Sequence, residues 1–159
     1  MFYGCTVLTG VTIPDGVNSI GYSTFCGCTG LTSIAIPERV TAIGDEAFKN
    51  CTGITDVVVS DSVTEIGYRA FEGCSSLTSI TLPFVGATKD GSKNTHFGYI
   101  FGAFHYGGNP TCVPSGLQTL IITGGTSIAD CAFYYCTGLT SIEMPNSMTS
   151  IGSRAFQSC

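Results

Sequence analysis

Apolar positions recur along the chain with a fixed period. Phe2, Phe25, Phe48 and Phe71 fall 23 residues apart, as do Cys5, Cys28, Cys51 and Cys74; after an interruption, Phe133 and Cys136 are followed at the same interval by Phe156 and Cys159. The best-formed unit reads Leu31-Thr-Ser-Ile34-Ala-Ile36-Pro37, then Val40-Thr-Ala-Ile43-Gly44, then Ala47-Phe48-Lys-Asn-Cys51, and it recurs over Ile54–Cys74 and Leu139–Cys159. Self-similarity at this period is the signature of a solenoid, in which each repeat is one coil.

Within a unit, Ile34 and Ile36 alternate with an outward Ala35, which predicts a short strand with one apolar face. Pro37, Pro83 and Pro145 follow such strands and mark a corner, where the missing N–H does no harm because the chain is leaving the sheet. Val40 and Ile43, like Val17 and Ile20, Val63 and Ile66, and Met148 and Ile151, supply a second, shorter inward segment. It is closed by Gly44, Gly21, Gly67 or Gly152, which suit a turn with positive φ. Ala47-Phe48 and its equivalents are expected on a single helical or 3₁₀ turn, the alanine allowing close approach while the ring enters the core. One unit cannot bury its own apolar face. Coils stacked about 4.8 Å apart align like residues in continuous ladders. With roughly six inward apolar side chains per coil, each contributing about 1.5–3 kcal/mol when buried, the stack offsets its ordering entropy.

The segments L-T-S-I-x-I-P, V-T-x-I-G and A-F-x-x-C resemble the BspA-like class of leucine-rich repeat, over about residues 1–83 and 117–159. The resemblance implies an α/β repeat fold: a right-handed leucine-rich-repeat solenoid of short strands with short helical or 3₁₀ turns. It also implies a cell-surface or secreted protein of a host-associated bacterium or mucosal protozoan, and adhesion to extracellular, host or bacterial surface proteins or glycans. It brings no catalytic residues. Residues 1–159 read as a single solenoid, and because the chain begins inside a repeat it is expected to be a fragment of a longer one.

The repeat is lost between Pro83 and Leu117, leaving an irregular insertion over 84–116 that is rich in aromatics: Phe84, Phe97, Tyr99, Phe101, Phe104 and Tyr106. Ala103-Phe104 matches the Ala-Phe pair of the regular units, 33 residues after Phe71 and 29 before Phe133. This spacing predicts a degenerate coil carrying a ten-residue and a six-residue loop. Phe97, Ile100 and Phe104 are expected to fill the core ladder, with Asp90-Gly-Ser-Lys-Asn94 a solvated turn. Insertions in solenoids usually emerge on one face, often the binding face. The expected exposed candidates for contact are Tyr99, His105 and Tyr106. A second candidate surface is the outward row Ala35, Val58, Thr81, Ile121 and Glu143, equivalent places in successive coils whose chemistry varies while the inner ladder stays uniform.

Composition narrows the remaining chemistry. Charged residues are 11% of the chain, net charge is −5 and no basic cluster is present, which argues against nucleic acid and against an anionic membrane surface. The N-terminal residues have neither a basic nor an apolar signal region, and no run of about 18 apolar residues suggests membrane insertion. Six of the nine cysteines hold the same place in every unit and are expected as buried free thiols rather than bridges, since one bridge would distort the stack. Cys26-Gly-Cys28 is not a zinc pair, and no histidine pair accompanies it. His96 and His105 lie in no recognised catalytic setting, Asp90-Gly-Ser92-Lys-Asn94 lacks the glycine placement and closing Glu of a calcium loop, and no phosphate-cradling glycine motif occurs. Asn50-Cys51-Thr52 is a formal glycosylation sequon around a residue expected to be buried. No catalytic residue, metal site or cofactor is assigned. The favoured reading is a non-enzymatic recognition or adhesion module; the alternative is a structural spacer with no ligand of its own.

Overall fold

The computed structural model describes residues 2–159. Its ten short strands are β1 (Ser19–Ile20), β2 (Ser33–Ile36), β3 (Ala42–Ile43), β4 (Asp56–Val59), β5 (Glu65–Ile66), β6 (Ser79–Leu82), β7 (Thr119–Ile122), β8 (Ser127–Ile128), β9 (Ser141–Glu143) and β10 (Ser150–Ile151). The first strand of each coil joins one five-stranded parallel sheet in the order β2-β4-β6-β7-β9, and the second strands form two shorter ladders, β1-β3-β5 and β8-β10. In β2 and β4 the side chains alternate exposed and buried, as the sequence pattern requires.

On the turn side, like rings stack on like rings. The rings of Phe2, Phe25, Phe48 and Phe71 lie 5.3–5.4 Å apart and within 8° of parallel, and Phe133 and Phe156 repeat the arrangement at 5.0 Å. Phe48 and Phe71 are fully buried with Leu31, Ile54 and Leu77. Outside the sheet, the Thr55 hydroxyl donates to the Thr32 carbonyl and that of Thr78 to the Thr55 carbonyl, so the Thr of L-T-S-I binds each coil to the one before.

The turns differ from the sequence expectation. Among the described residues no regular coil carries a helix; helical structure is confined to the insertion, as 3₁₀ turns over Phe97–Phe101 and Tyr106–Gly108 and one α-helical turn over Asn109–Cys112. Each coil instead runs through tandem turns: Ala47 N–H returns to Gly44 C=O at 3.3 Å and Cys51 N–H to Phe48 C=O at 3.2 Å. The positive φ of these turns falls at Glu46 (56°) and Asn50 (58°), the third position of each, as a type II turn demands. Gly21, Gly44, Gly67 and Gly152 have no positive φ. Their role is close approach: a Cβ on Gly44 would stand 2.9 Å from the Gly21 carbonyl carbon and Tyr22 nitrogen of the coil before it.

The insertion is one elongated coil. Ser79 pairs with Thr119, forty positions on, where Ser33 pairs with Asp56 after 23, so the main sheet crosses the insertion without losing register. The ladder positions belong to Phe97 and Phe101, not Phe104, which is 78% exposed. Phe71 N–H donates to Ile100 C=O at 2.9 Å and Phe97 N–H donates to Ala132 C=O at 2.8 Å. The 3₁₀ turn therefore offers Ile100 to the coil before and Phe97 to the coil after, and the Ala-Phe spacing misled because the core is filled one turn earlier. Phe97 and Ile100 are buried as expected. Asn109, fully buried, holds the far limb in place: its Oδ1 accepts from Gly98 N–H at 2.9 Å and its Nδ2 donates to Ala132 C=O at 3.1 Å. Asp90 to Asn94 form the exposed turn anticipated.

All nine cysteines are free thiols; of the six in phase, Cys28, Cys51, Cys74 and Cys136 are buried, Cys5 is half-buried and Cys159 exposed. The repeated cysteine has a specific partner. Its thiol donates to the carbonyl of the phenylalanine 26 residues earlier: Cys28 to Phe2 and Cys51 to Phe25, each at 3.0 Å, and Cys74 to Phe48 at 3.3 Å. Burial pushes the Cys51 and Cys136 thiols up to about 12 and raises that of Cys74 as well.

Two outcomes follow from this core. Phe48→Ala removes one ring of the ladder and should cost about 3–5 kcal/mol in a chemical or thermal melt; an unchanged midpoint would exclude the ladder as the source of stability. The buried thiols, retaining protons that an unfolded chain releases near pH 9, contribute stability that is fully present below that pH and lost as it rises towards 12. Iodoacetamide on the native protein should label Cys159 and spare Cys51, Cys74 and Cys136, with all nine labelled in denaturant.

Candidate binding surface

The outward row is assembled as the sequence implied. Ala35 pairs with Val58, Val58 with Thr81, Thr81 with Ile121 and Ile121 with Glu143, so the five side chains form one line across the main sheet. Ala35, Val58 and Glu143 are exposed, while Thr81 and Ile121 are half-buried. Ser33, Asp56, Ser79, Thr119 and Ser141 run beside them in the same register. This flat face is polar at one row and mixed at the other, with no concentration of charge.

The insertion builds a different surface. His105 and Tyr106 are exposed as expected, but Tyr99 is half-buried and packed against the core. Its ring lies 5.4 Å from that of Tyr68 and edge-on to buried His96. Tyr68 anchors the segment: its hydroxyl donates to Gly102 C=O at 2.7 Å, and its ring also meets Phe104 at 5.2 Å. Beyond it, Tyr106 packs edge-on against Tyr134 at 5.5 Å, and Tyr134 against Tyr135 at 4.6 Å. Phe104 at 78%, Tyr106 at 47% and Tyr135 at 40% exposure give this end of the turn side an aromatic surface. Phe104, Tyr68, Tyr134 and Tyr135 were not among the sequence candidates. Tyr68 and Tyr134 sit at variable places within otherwise regular coils, and only the fold brings them beside the insertion.

Next to these rings, Glu46, Lys49, Arg69 and Glu72 close a four-membered ion-pair network. Lys49 Nζ lies 3.1 Å from Glu46 and 3.0 Å from Glu72, and Arg69 lies 3.7 Å from each. The hydrogen bond from Lys49 holds the Glu46 carboxyl below its ordinary value, and those to Glu72 and Glu46 hold the Lys49 amine above its own. Arg69 also covers the Tyr68 ring at 4.9 Å. The four charges thus neutralise one another, while the Asp45 carboxylate, which accepts from Tyr68 N–H at 2.8 Å, stays outside the network.

Both histidines serve the backbone. His96 Nε2–H donates to Ala103 C=O at 3.0 Å, and burial lowers its basicity. His105 Nδ1 accepts from Gly107 N–H at 3.0 Å and caps the Tyr106–Gly108 turn. These contacts hold the loop that displays Phe104 and Tyr106. Among the described residues, no helix is long and apolar enough to cross a membrane, and His, Cys, Asp and Glu form no group of three arranged to hold a metal.

No curated protein matches this chain. Among solved structures it is similar to a leucine-rich-repeat protein of T. pallidum, at 29% identity and a TM-score of 0.63 over 99% of this chain and 66% of that one. A leucine-rich-repeat protein of Eubacterium ventriosum shares the fold, at 21% identity and a TM-score of 0.61 over 92% of this chain and 41% of that one. A leucine-rich cell surface protein of Faecalibacterium prausnitzii is 33% identical over 88% of this chain and 34% of its own, with a TM-score of 0.47. The chain therefore spans 66% or less of the length of these solved relatives. The BspA type leucine rich repeat region matches it in six copies over residues 1–91 and 114–159, leaving unmatched the stretch that carries Tyr99, Phe104, His105 and Tyr106. With the repeat, its strand register and its phenylalanine and cysteine ladders all in place, the chain belongs to the BspA-type leucine-rich-repeat family.

Proposed function

We propose that the protein is a non-enzymatic recognition module of a cell-surface or secreted protein, adhering to extracellular protein or glycan partners through the aromatic surface of its insertion. A leucine-rich-repeat family makes protein interaction or structural repetition the general role. The observation that carries the reading is the exposure of Phe104, Tyr106 and Tyr135, Phe104 resting on Tyr68 and the two tyrosines joined through Tyr134. A monomeric surface seldom leaves large aromatics clustered in water without use. Tyr and Phe are enriched at interfaces, where they supply large contact area at low entropic cost. The patch rests on a stiff ladder through Tyr68, Asn109 and His96, so little ordering is needed on binding. The row Ala35, Val58, Thr81, Ile121 and Glu143 is a second, weaker contact surface. The spacer reading is favoured by a single observation: the main sheet runs unbroken through the insertion, as a rod needs.

Replacing Phe104, Tyr106 and Tyr135 with serine should weaken binding to immobilised extracellular-matrix proteins or intact cells by about tenfold or more, the effect of losing one interface hot spot. The melting temperature should hold, because these rings lie outside the core. Binding that survives this change but is lost on Val58→Glu with Ile121→Glu moves the contact to the strand face. No specific binding by any variant or by the unmodified protein leaves the spacer.

A further inference from the structure

The chain has two histidines, His96 and His105, and both lie in the insertion, on either side of Phe104. Each ties the loop to its own backbone through a ring nitrogen. His96, buried at the start of the 3₁₀ turn Phe97–Phe101, donates from Nε2 to Ala103 C=O at 3.0 Å and so closes residues 96–103 on themselves. Within that closure Ala103 N–H donates to Gly98 C=O at 2.9 Å and Gly102 N–H to Tyr99 C=O at 3.1 Å. Exposed His105 accepts at Nδ1 from Gly107 N–H at 3.0 Å and caps the turn over Tyr106–Gly108.

Both bonds depend on the charge of the ring, for different reasons. An imidazole accepts at Nδ1 only while that nitrogen carries no proton. Protonated His105 would set a second donor against the Gly107 donor, and the cap would be lost. For His96 the cost lies in burial, which disfavours a positive ring and lowers its basicity despite the bond to Ala103 C=O; the neighbouring His105 acts in the same direction. No carboxylate is turned to His96. Tyr99 stands edge-on to it at 6.1 Å. On the coil before, Arg69 N–H meets Tyr99 C=O while its guanidinium is drawn to Glu46 and Glu72. On the coil after, Asp130 and Cys131 precede Ala132, which takes Phe97 N–H, and the Asp130 carboxylate accepts from Ser153 N–H at 2.6 Å. Lys89, Asp90 and Lys93, on the stretch leading into the loop, are exposed.

We propose that His96 and His105 form an acid-sensitive catch: loop 96–108 holds Phe104 and Tyr106 in a fixed pose while both imidazoles are neutral, and opens locally when they take up protons. The catch regulates the aromatic surface, and its use rests on the recognition role proposed above. Histidine is suited to the task because its charge changes close to neutral pH. In the opened loop His96 binds a proton at the ordinary imidazole value of about 6.5, and in the closed loop only at lower pH. Closure is therefore fully favoured above about pH 6.5, weakens as the pH falls below it, and levels off once the closed form is protonated too. At about pH 5, protonation of His96 raises the open population by at most about thirtyfold.

Amide hydrogen exchange, taken at each pH relative to an unstructured peptide, reads the opening directly. Between about pH 7.5 and about pH 5, protection at Ala103 and Gly107 should fall about tenfold while that at Phe48, in the regular ladder, holds. His105→Asn places a side-chain oxygen where Nδ1 stood; it should abolish the fall at Gly107 and leave the fall at Ala103. His96→Gln, whose amide nitrogen replaces Nε2, should abolish the fall at Ala103. If His96→Gln fails to fold, the surface substitution His105→Asn decides through Gly107. The catch is overturned if protection at Ala103 and Gly107 of the unmodified protein stays within about twofold over this range, if Phe48 falls with them, or if His105→Asn leaves the fall at Gly107 unchanged. Exchange is measured without a partner, so a chain that shows the fall but binds no matrix protein or cell at about pH 7.5 keeps the catch and loses only the recognition role.

Discussion

No coil of this protein can bury its own apolar face, and the contact between neighbouring coils is the constraint on which everything else depends. Each junction joins three kinds of interaction at one spacing: parallel main-chain bonds, side-chain donors returning to the preceding backbone, and like rings stacked on like rings. Hydrogen-bonded strands stand about 4.8 Å apart, and offset-stacked rings keep their centroids about 4.5–7 Å apart, so Phe48 and Phe71, at 5.4 Å, satisfy both demands together. The cysteine ladder meets the same condition with a smaller residue. Its thiol is short enough for the tight turn and polar enough to donate to the phenylalanine carbonyl below it.

The insertion shows how such a stack absorbs irregular sequence. The main sheet admits no gap, because an unpaired strand within it would leave buried main-chain groups unsatisfied, and β6 pairs directly with β7 across the extra residues. On the second face the ladder breaks, into β1-β3-β5 and β8-β10. What the broken face loses is replaced by side chains: Asn109 supplies both a donor and an acceptor deep in the coil, and Tyr68 and His96 each hold a loop carbonyl. The extra residues are thus displayed in a fixed pose.

This division of labour separates stability from recognition. The ladder residues are uniform from coil to coil, and a change in one is felt by its neighbours. The aromatic patch and the outward strand row lie outside those contacts, where substitution alters what the surface presents while the stack stays intact. The ion-pair network of Glu46, Lys49, Arg69 and Glu72 lies between the two; being partly exposed, it contributes little to stability.

Much of the fold was legible because the period is written in residues that face inward: Leu31, Ile34, Ile43, Phe48 and Cys51 mark the coil, and their recurrence also gave the register of the outward row from Ala35 to Glu143. Local geometry was less legible. Glycine suggested positive φ at 44 where the tertiary structure uses it for close approach, and Ala103-Phe104 imitated the repeat while Phe97 and Phe101 held the core. Which of several aromatics enters the interior depends on where the 3₁₀ turn is anchored, and that anchor, Asn109, binds groups eleven and 23 residues away. The sequence by itself thus determined a stacked coil, its period and its inner face, because ladder packing demands like residues at like places. Only the tertiary structure decided which rings meet the solvent and where the second ladder opens, because those depend on contacts between coils that no single repeat contains.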